Sequence, residues 1–156
     1  PGDQGAVIMG LIDTFRITGT ALNAQSIHMD VIARNMASAQ LVSGSEQNAY
    51  RARRPEFASI LNNTFNSLGV PGSLAGGRET AGVRVSRFNQ SSAPIERQHM
   101  PESPLADEQG YVYLSNVNVV EEMAYMMQAS RSYQSNLEVL NTAKQLMLRT
   151  LSIGSR

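Results

Sequence analysis

The chain has no cysteine and no tryptophan among its 156 residues, and only 6% of them are aromatic. The missing cysteine excludes disulfide staples, thiolate nucleophiles and Cys-ligated zinc. Few aromatics mean a thin core, although a hydrophobic fraction of 42% is enough to build one. Neither sign of charge dominates: 13 basic and 13 acidic residues balance, so no long-range field draws the chain to nucleic acid or to an anionic membrane. No apolar run approaches the roughly 20 residues of a membrane span. Pro1 to Ile8 also lack the basic flank and apolar run of a cleaved secretory signal. His28 and His99 are the only histidines; Asp30, two residues on from His28, points elsewhere on a helix, and His99 reads as a loop side chain. Glu121 and Glu122 are adjacent, face different ways on a helix, and read as first-turn dipole partners rather than as an acid/base pair. Gly69 to Gly77 lacks the Gly-Lys-Ser/Thr ending of a phosphate cradle. No metal, no cofactor and no catalytic step are expected, and an enzyme would need a converging set of reactive groups that the sequence does not offer.

What the chain does have is a helix-period hydrophobic stripe at each end. Phe15, Leu22, Met29 and Met36 recur at heptad spacing, accompanied by Ile12, Gly19, Ser26 and Ala33. Near the C-terminus Val119, Met126, Tyr133, Leu140 and Met147 form one seam, with Met123, Ser130, Leu137, Lys144 and Leu151 as its companion row. This is the a/d pattern of left-handed helix pairing. Ile12, Phe15, Leu22, Met29, Met36, Val119, Met123, Met126, Tyr133, Leu137, Leu140, Met147 and Leu151 are therefore the candidate interface residues.

Between the stripes, glycine and proline divide the chain into short pieces. Alternating runs predict strands at 49–53, 56–61, 83–88 and 111–114, with Pro55 marking a bent or edge strand. The expected fold is mainly α with a small β-rich insertion, its long terminal helices packing as a coiled coil around an irregular or β middle segment. In order, the chain reads as a flexible extension over 1–10, a helix over 11–40, and a β-rich middle over 41–115 with a flexible glycine-rich loop at 66–80. A second helix follows over 116–154. Asn116 or Asn118 caps it, Asn118 and Glu121 having the form of a capping box, and Gly154 ends it.

The outward faces of the last helix are unusual for an isolated coiled coil, because most of their polar residues are uncharged: Gln128, Ser132, Gln134, Ser135, Asn136, Asn141, Thr142 and Gln145. Such faces are buried against other helices without stranding charges. One seam of apolar residues also falls short of the entropy cost of ordering two long helices. Six of the eight methionines, Met29, Met36, Met123, Met126, Met127 and Met147, lie in these helices, where flexible thioethers suit several slightly different neighbours. The basic cluster Arg51, Arg53 and Arg54 fits an outward protein contact or a solvated edge better than a phosphate site.

Ala21-Leu22-Asn23-Ala24-Gln25 followed by Ile32-Ala33-Arg34-Asn35-Met36-Ala37-Ser38-Ala39 resembles the N-terminal signature of the bacterial flagellar rod and hook proteins. Gly110-Tyr111-Val112 leading into Asn116-Val117-Asn118-Val119-Val120-Glu121-Glu122-Met123 is similar to that family's proximal rod members. So are Ala129-Ser130-Arg131-Ser132-Tyr133-Gln134 and Leu140-Asn141-Thr142-Ala143-Lys144. Ser38 departs from the family, which commonly has a second asparagine there. The resemblance implies a mechanical subunit, exported by the flagellar type III apparatus without signal cleavage and polymerised in the periplasm. Its terminal helices would form the inner layer of a rod that transmits torque and encloses the export channel. Its partners would be further copies of itself, other rod proteins, the MS-ring/rod junction protein and the surrounding P ring. A soluble coiled-coil adaptor, or another axial component of the rod or hook, is the alternative.

Overall fold

The computed structural model describes residues 2–60 and 82–154; the glycine-rich stretch at 66–80 lies outside these residues. Its elements run α1 (Gly2–Ser38), β1 (Val42–Ser43), β2 (Arg53–Ile60), β3 (Gly82–Gln90), β4 (Arg97–His99), β5 (Tyr111–Leu114) and α2 (Val119–Gly154). Two long terminal helices thus flank a small β middle. Among the described residues, no helix is long and apolar enough to cross a membrane.

α1 begins at Gly2 rather than near Leu11, where the hydrophobic repeat starts. No proline interrupts Gly2 to Gly10, and once a helix is nucleated each further residue adds a hydrogen bond. α2 starts where the cap predicts. The Asn118 side-chain oxygen accepts from Val120 N (3.0 Å) and Glu121 N (3.3 Å). The Glu121 carboxylate accepts from Arg54 (3.0 Å) and from the Tyr125 hydroxyl (2.7 Å) instead of closing the capping box.

β1, β5 and β4 form an antiparallel sheet in that order, with Val42 opposite Leu114 and Gln98 opposite Val112. β5 is central, and its Val112 has no exposed surface. β1 and β4 carry too few residues to show an alternating pattern in sequence. Among the described residues β2 pairs with β3 alone. A two-stranded sheet has only edge strands, so Pro55 sits inside β2 without removing a needed ladder bond. Of the predicted strand at 49–53 only Arg53 is in a strand, because Ala52 N donates to the Asn116 side chain and the carbonyls of Tyr50 and Ala52 accept from Asn116 N and Ser91 N.

The chain divides into two compact units. One comprises Pro1–Gln25, Phe57–Val85 and Ser132–Arg156. Within it the Thr20 hydroxyl donates to Ile17 O (2.8 Å) and accepts from Val83 N (3.1 Å), tying the start of β3 to α1. Gly82 is buried there; a Cβ would lie 3.1 Å from that same hydroxyl. The other unit comprises Ser26–Glu56 and Ser86–Arg131. It holds Val31, Ile32, Ala49, Ala52, Val112 and Ala129 as buried apolar residues.

Burial along the helices follows the heptad spacing, with the companion rows displaced by one residue. In α1, Thr18 and Ile32 are buried and Leu11 and Gln25 half-buried, whereas Ile12, Gly19, Ser26 and Ala33 are exposed. In α2, Glu122, Ala129 and Ala143 are buried and Asn136 half-buried, whereas Met123 and Lys144 are exposed. Ser130 and Leu137 of the expected row remain half-buried. A seven-residue repeat leaves open whether the second row lies three or four positions away.

The turn before β5 is built on one carboxylate and one glycine. Asp107 accepts from Tyr111 N and Gln109 N at 2.9 Å each. The Tyr111 amide, with smaller help from Gln109, Tyr113 and Arg97, holds its carboxyl below the usual carboxylate range. Gly110 has φ +79°, and a Cβ there would meet His99 Nε2 at 3.1 Å. Gly110→Ala is expected to cost about 1–2 kcal/mol from the left-handed backbone alone, read as a lowered urea midpoint. A native carboxyl held low contributes stability that is present at neutral pH and disappears as pH falls through its native value. Asp107→Asn should therefore lower stability at neutral pH, with the gap to the parent closing under acid in denaturant titrations.

Candidate assembly surfaces

The expected seam residues are neither core nor fully solvated. Phe15, Leu22, Met29, Met36, Val119, Met126, Tyr133, Leu137, Leu140 and Met147 are all half-buried. Ile12 and Met123 are 50% and 49% exposed. The Leu151 side chain lies outside the described ones. Fully buried positions go to smaller residues, chiefly alanines, and the largest fully buried side chains are Val112 and Asn35. Large apolar side chains meanwhile remain on other helix faces, with Val120, Met127 and Leu148 at 76%, 61% and 58% exposure. In the unit containing both chain ends, a groove of about 520 Å³ opens between Leu11 and Thr14 of α1 and Val139, Ala143 and Leu146 of α2.

Polar side chains organise the other unit. Asn35, on the inward face of α1, donates to Arg53 O (2.8 Å) and to Glu122 Oε2 (3.2 Å). Its oxygen accepts from Arg53 N and from the Tyr50 hydroxyl, both at 3.0 Å. An amide has two donors and two acceptor lone pairs, so this one is saturated. Asn116 works from the opposite side of the same segment. It accepts from Ala52 N (2.7 Å) and donates to Ala93 O (3.0 Å). Tyr50 to Arg53 is thereby held between two asparagines. Burial pushes His28 below its ordinary pKa, against a raising influence from Glu122 and a further lowering one from Arg54.

The adjacent glutamates part company. Glu122 turns inward to Asn35, with Arg54 3.9 Å from its other oxygen. Glu121 stays outside, held below the usual carboxylate range first by the Tyr125 hydroxyl and then by Arg54. The Arg54 guanidinium also lies 4.5 Å from the Tyr125 ring centre. Arg51 donates to Ala93 O (3.1 Å) and sits 3.7 Å from Glu46. Of the three arginines, Arg53 alone has an exposed residue position and no ion pair among the described residues. No group of three or more His, Asp or Glu is placed to hold a metal among the described residues.

The Asn35 arrangement was not legible in sequence. Its only local signal is a polar residue close to an otherwise apolar stripe, and Glu122 lies 87 positions away. Asn35→Ala would strand the Arg53 amide, the Tyr50 hydroxyl and Glu122, an expected loss of about 3 kcal/mol. Asn35→Asp keeps the shape but gives no N–H and sets a second carboxylate against Glu122, so it should be worse at neutral pH. Urea unfolding of the two variants side by side checks that order.

The description "Flagellar basal body rod FlgEFG protein C-terminal" names a family model that matches residues 108–153, the stretch leading into and spanning most of α2. Similarity to individual proteins extends much further. A flagellar basal-body rod protein FlgC of Salmonella typhimurium is 43% identical over 146 residues, covering 94% of this chain and 99% of the relative. The Yersinia enterocolitica protein of that name is 44% identical with the same coverage. One from Borreliella burgdorferi is 35% identical over 150 residues, covering 93% and 98%. With identity of this level over nearly the full length of each relative, the chain belongs to the FlgC family of flagellar basal-body rod proteins.

Proposed function

We propose that the protein is a structural subunit of the proximal rod of the bacterial flagellum. Its terminal helices, over 11–40 and 116–154, form the inner layer of a tube wall, and the middle over 41–115 faces outward. In this role it transmits torque along the drive shaft and helps to enclose the export channel. It is made in the cytoplasm, passes through the flagellar type III apparatus and assembles in the periplasmic part of the basal body. Its neighbours there are further copies, other rod proteins, the MS-ring/rod junction protein and the P ring.

The observation that carries this reading is the mismatch between what is buried and what is large. Alanines dominate the buried set while Val120, Met127 and Leu148 stay exposed. Buried alanines are ordinary, whereas large apolar side chains exposed along helix faces are the informative exception and mark surfaces that other proteins cover. Helices from adjacent subunits supply the missing partners, and the half-buried seam is shared between copies as a many-stranded coiled coil. A free-standing coiled-coil adaptor is disfavoured, because its outer helix faces would carry charges instead of exposed valine, methionine and leucine.

Leu137→Asp or Leu140→Asp places a charge in the closed seam, where an unpaired ion is strongly destabilising. Loss of motility with unchanged expression is expected, and normal swimming would count against the proposal. The purified monomer at low concentration should show a circular-dichroism helix content well below the 37 and 36 residues of α1 and α2. Deleting the gene and imaging the envelope tests the reading as a whole: basal bodies without rods are expected, and complete rods would sink it.

A further inference from the structure

We propose that adjacent copies contact each other head to tail, the loop Met100–Leu105 of one copy seating in a pocket around Arg53 and Phe88 of the next. The inference rests on the rod-subunit reading and adds to it which surfaces of the middle segment meet.

The pocket has a volume of about 370 Å³, with Ile27 and Val31 of α1, Tyr50, Arg53 and Phe88 of β3 among its lining residues. That volume falls within the roughly 300–1,000 Å³ of pockets that take small organic groups, so it accommodates side chains. Phe88 is 52% exposed although it is one of only four phenylalanines in the chain. The wall carries net positive charge. Asp30 is matched by Arg34 at 3.0 Å, which leaves Arg53 as the surplus cation among the described residues. An apolar floor beside an unmatched guanidinium selects an apolar side chain neighbouring a carboxylate.

The chain itself carries such a feature. In Met100-Pro101-Glu102-Ser103-Pro104-Leu105, Met100 and Leu105 are 43% and 48% exposed. Glu102, exposed between them, has no ion pair among the described residues. The loop is held in shape before any contact forms. Met100 N donates to Gly110 O (2.9 Å), Ser103 N to Met100 O (3.0 Å) and Ala106 N to Ser103 O (3.0 Å). The Leu105 carbonyl lies 3.0 Å from where a Cβ on Gly44 would stand, so loop and β1 turn pack backbone to backbone. Two prolines fix further dihedrals. A loop ordered in advance loses little entropy when it docks, which favours a specific contact of small area.

Loop and pocket are different patches, so the contact is heterologous. Repetition of one such contact builds a ring or a helix, whereas a self-complementary patch would stop at a dimer.

Charge reversal and cross-linking test the contact in the intact flagellum. Arg53→Glu and Glu102→Arg should each cause loss of the swarm halo, and the double variant should regain it. A single reversal with a normal halo, or a double variant that stays immotile, overturns the contact. Because the chain has no cysteine, Phe88→Cys with Leu105→Cys introduces the only thiols. Oxidised basal bodies carrying both should yield dimers and larger multimers of this chain, and either substitution alone should yield none. Chain retained in the rod without multimers, or linked instead to a protein of different mass, overturns the contact and leaves the rod reading intact. Absence of the chain from purified wild-type basal bodies overturns both.

Discussion

Four hydrogen bonds meet on the side chain of Asn35, and through them α1, the entry to β2 and the first turn of α2 are fixed to one another. Specification by a buried amide differs from specification by shape. Apolar packing tolerates sliding by a residue, whereas a saturated amide between a backbone N–H, a backbone carbonyl, a phenol and a carboxylate has one acceptable position. Asn116 adds a second such constraint on the same segment. The middle of the chain therefore owes its definition to polar groups whose partners are all supplied internally.

The helices outside this unit follow the opposite rule. Their buried positions are small and their large apolar positions are half-buried or open, so shape there is left incomplete. Polar satisfaction fixes the middle of the chain, and large apolar side chains stay exposed in both units, Val120 and Met127 in the one that holds Asn35 and Leu148 in the other. Both glutamates at the start of α2 take part. Glu122 belongs to the internal constraint, and Glu121 ties the outer surface through Arg54 and Tyr125.

Local chemistry was legible in sequence. The heptad spacing of Phe15 to Met36 and of Val119 to Met147 identified the half-buried faces, and Asn118 identified the first turn of α2 because a cap acts on its own neighbours. The companion rows were legible only to within one position, since offsets of three and four are both neighbours on a helix. Long-range polar geometry was not legible at all. Nothing near Asn35 points to Glu122, and nothing near Arg54 announced Glu121 and Tyr125 as its partners. Pro55 was read as the mark of a bent or edge strand, and it lies inside β2, a strand of a two-stranded sheet.

The separation of Asn35 from Glu122 has a kinetic meaning as well. Contacts between residues 87 positions apart close late, since most of the intervening chain must be available before they form. During synthesis Asn35 emerges long before its carboxylate partner exists, and until then its amide is served by water. The constraint centred on Asn35 thus closes only once the start of α2 is available, whereas the β4–β5 pair, 12 to 16 residues apart, closes from its own neighbourhood.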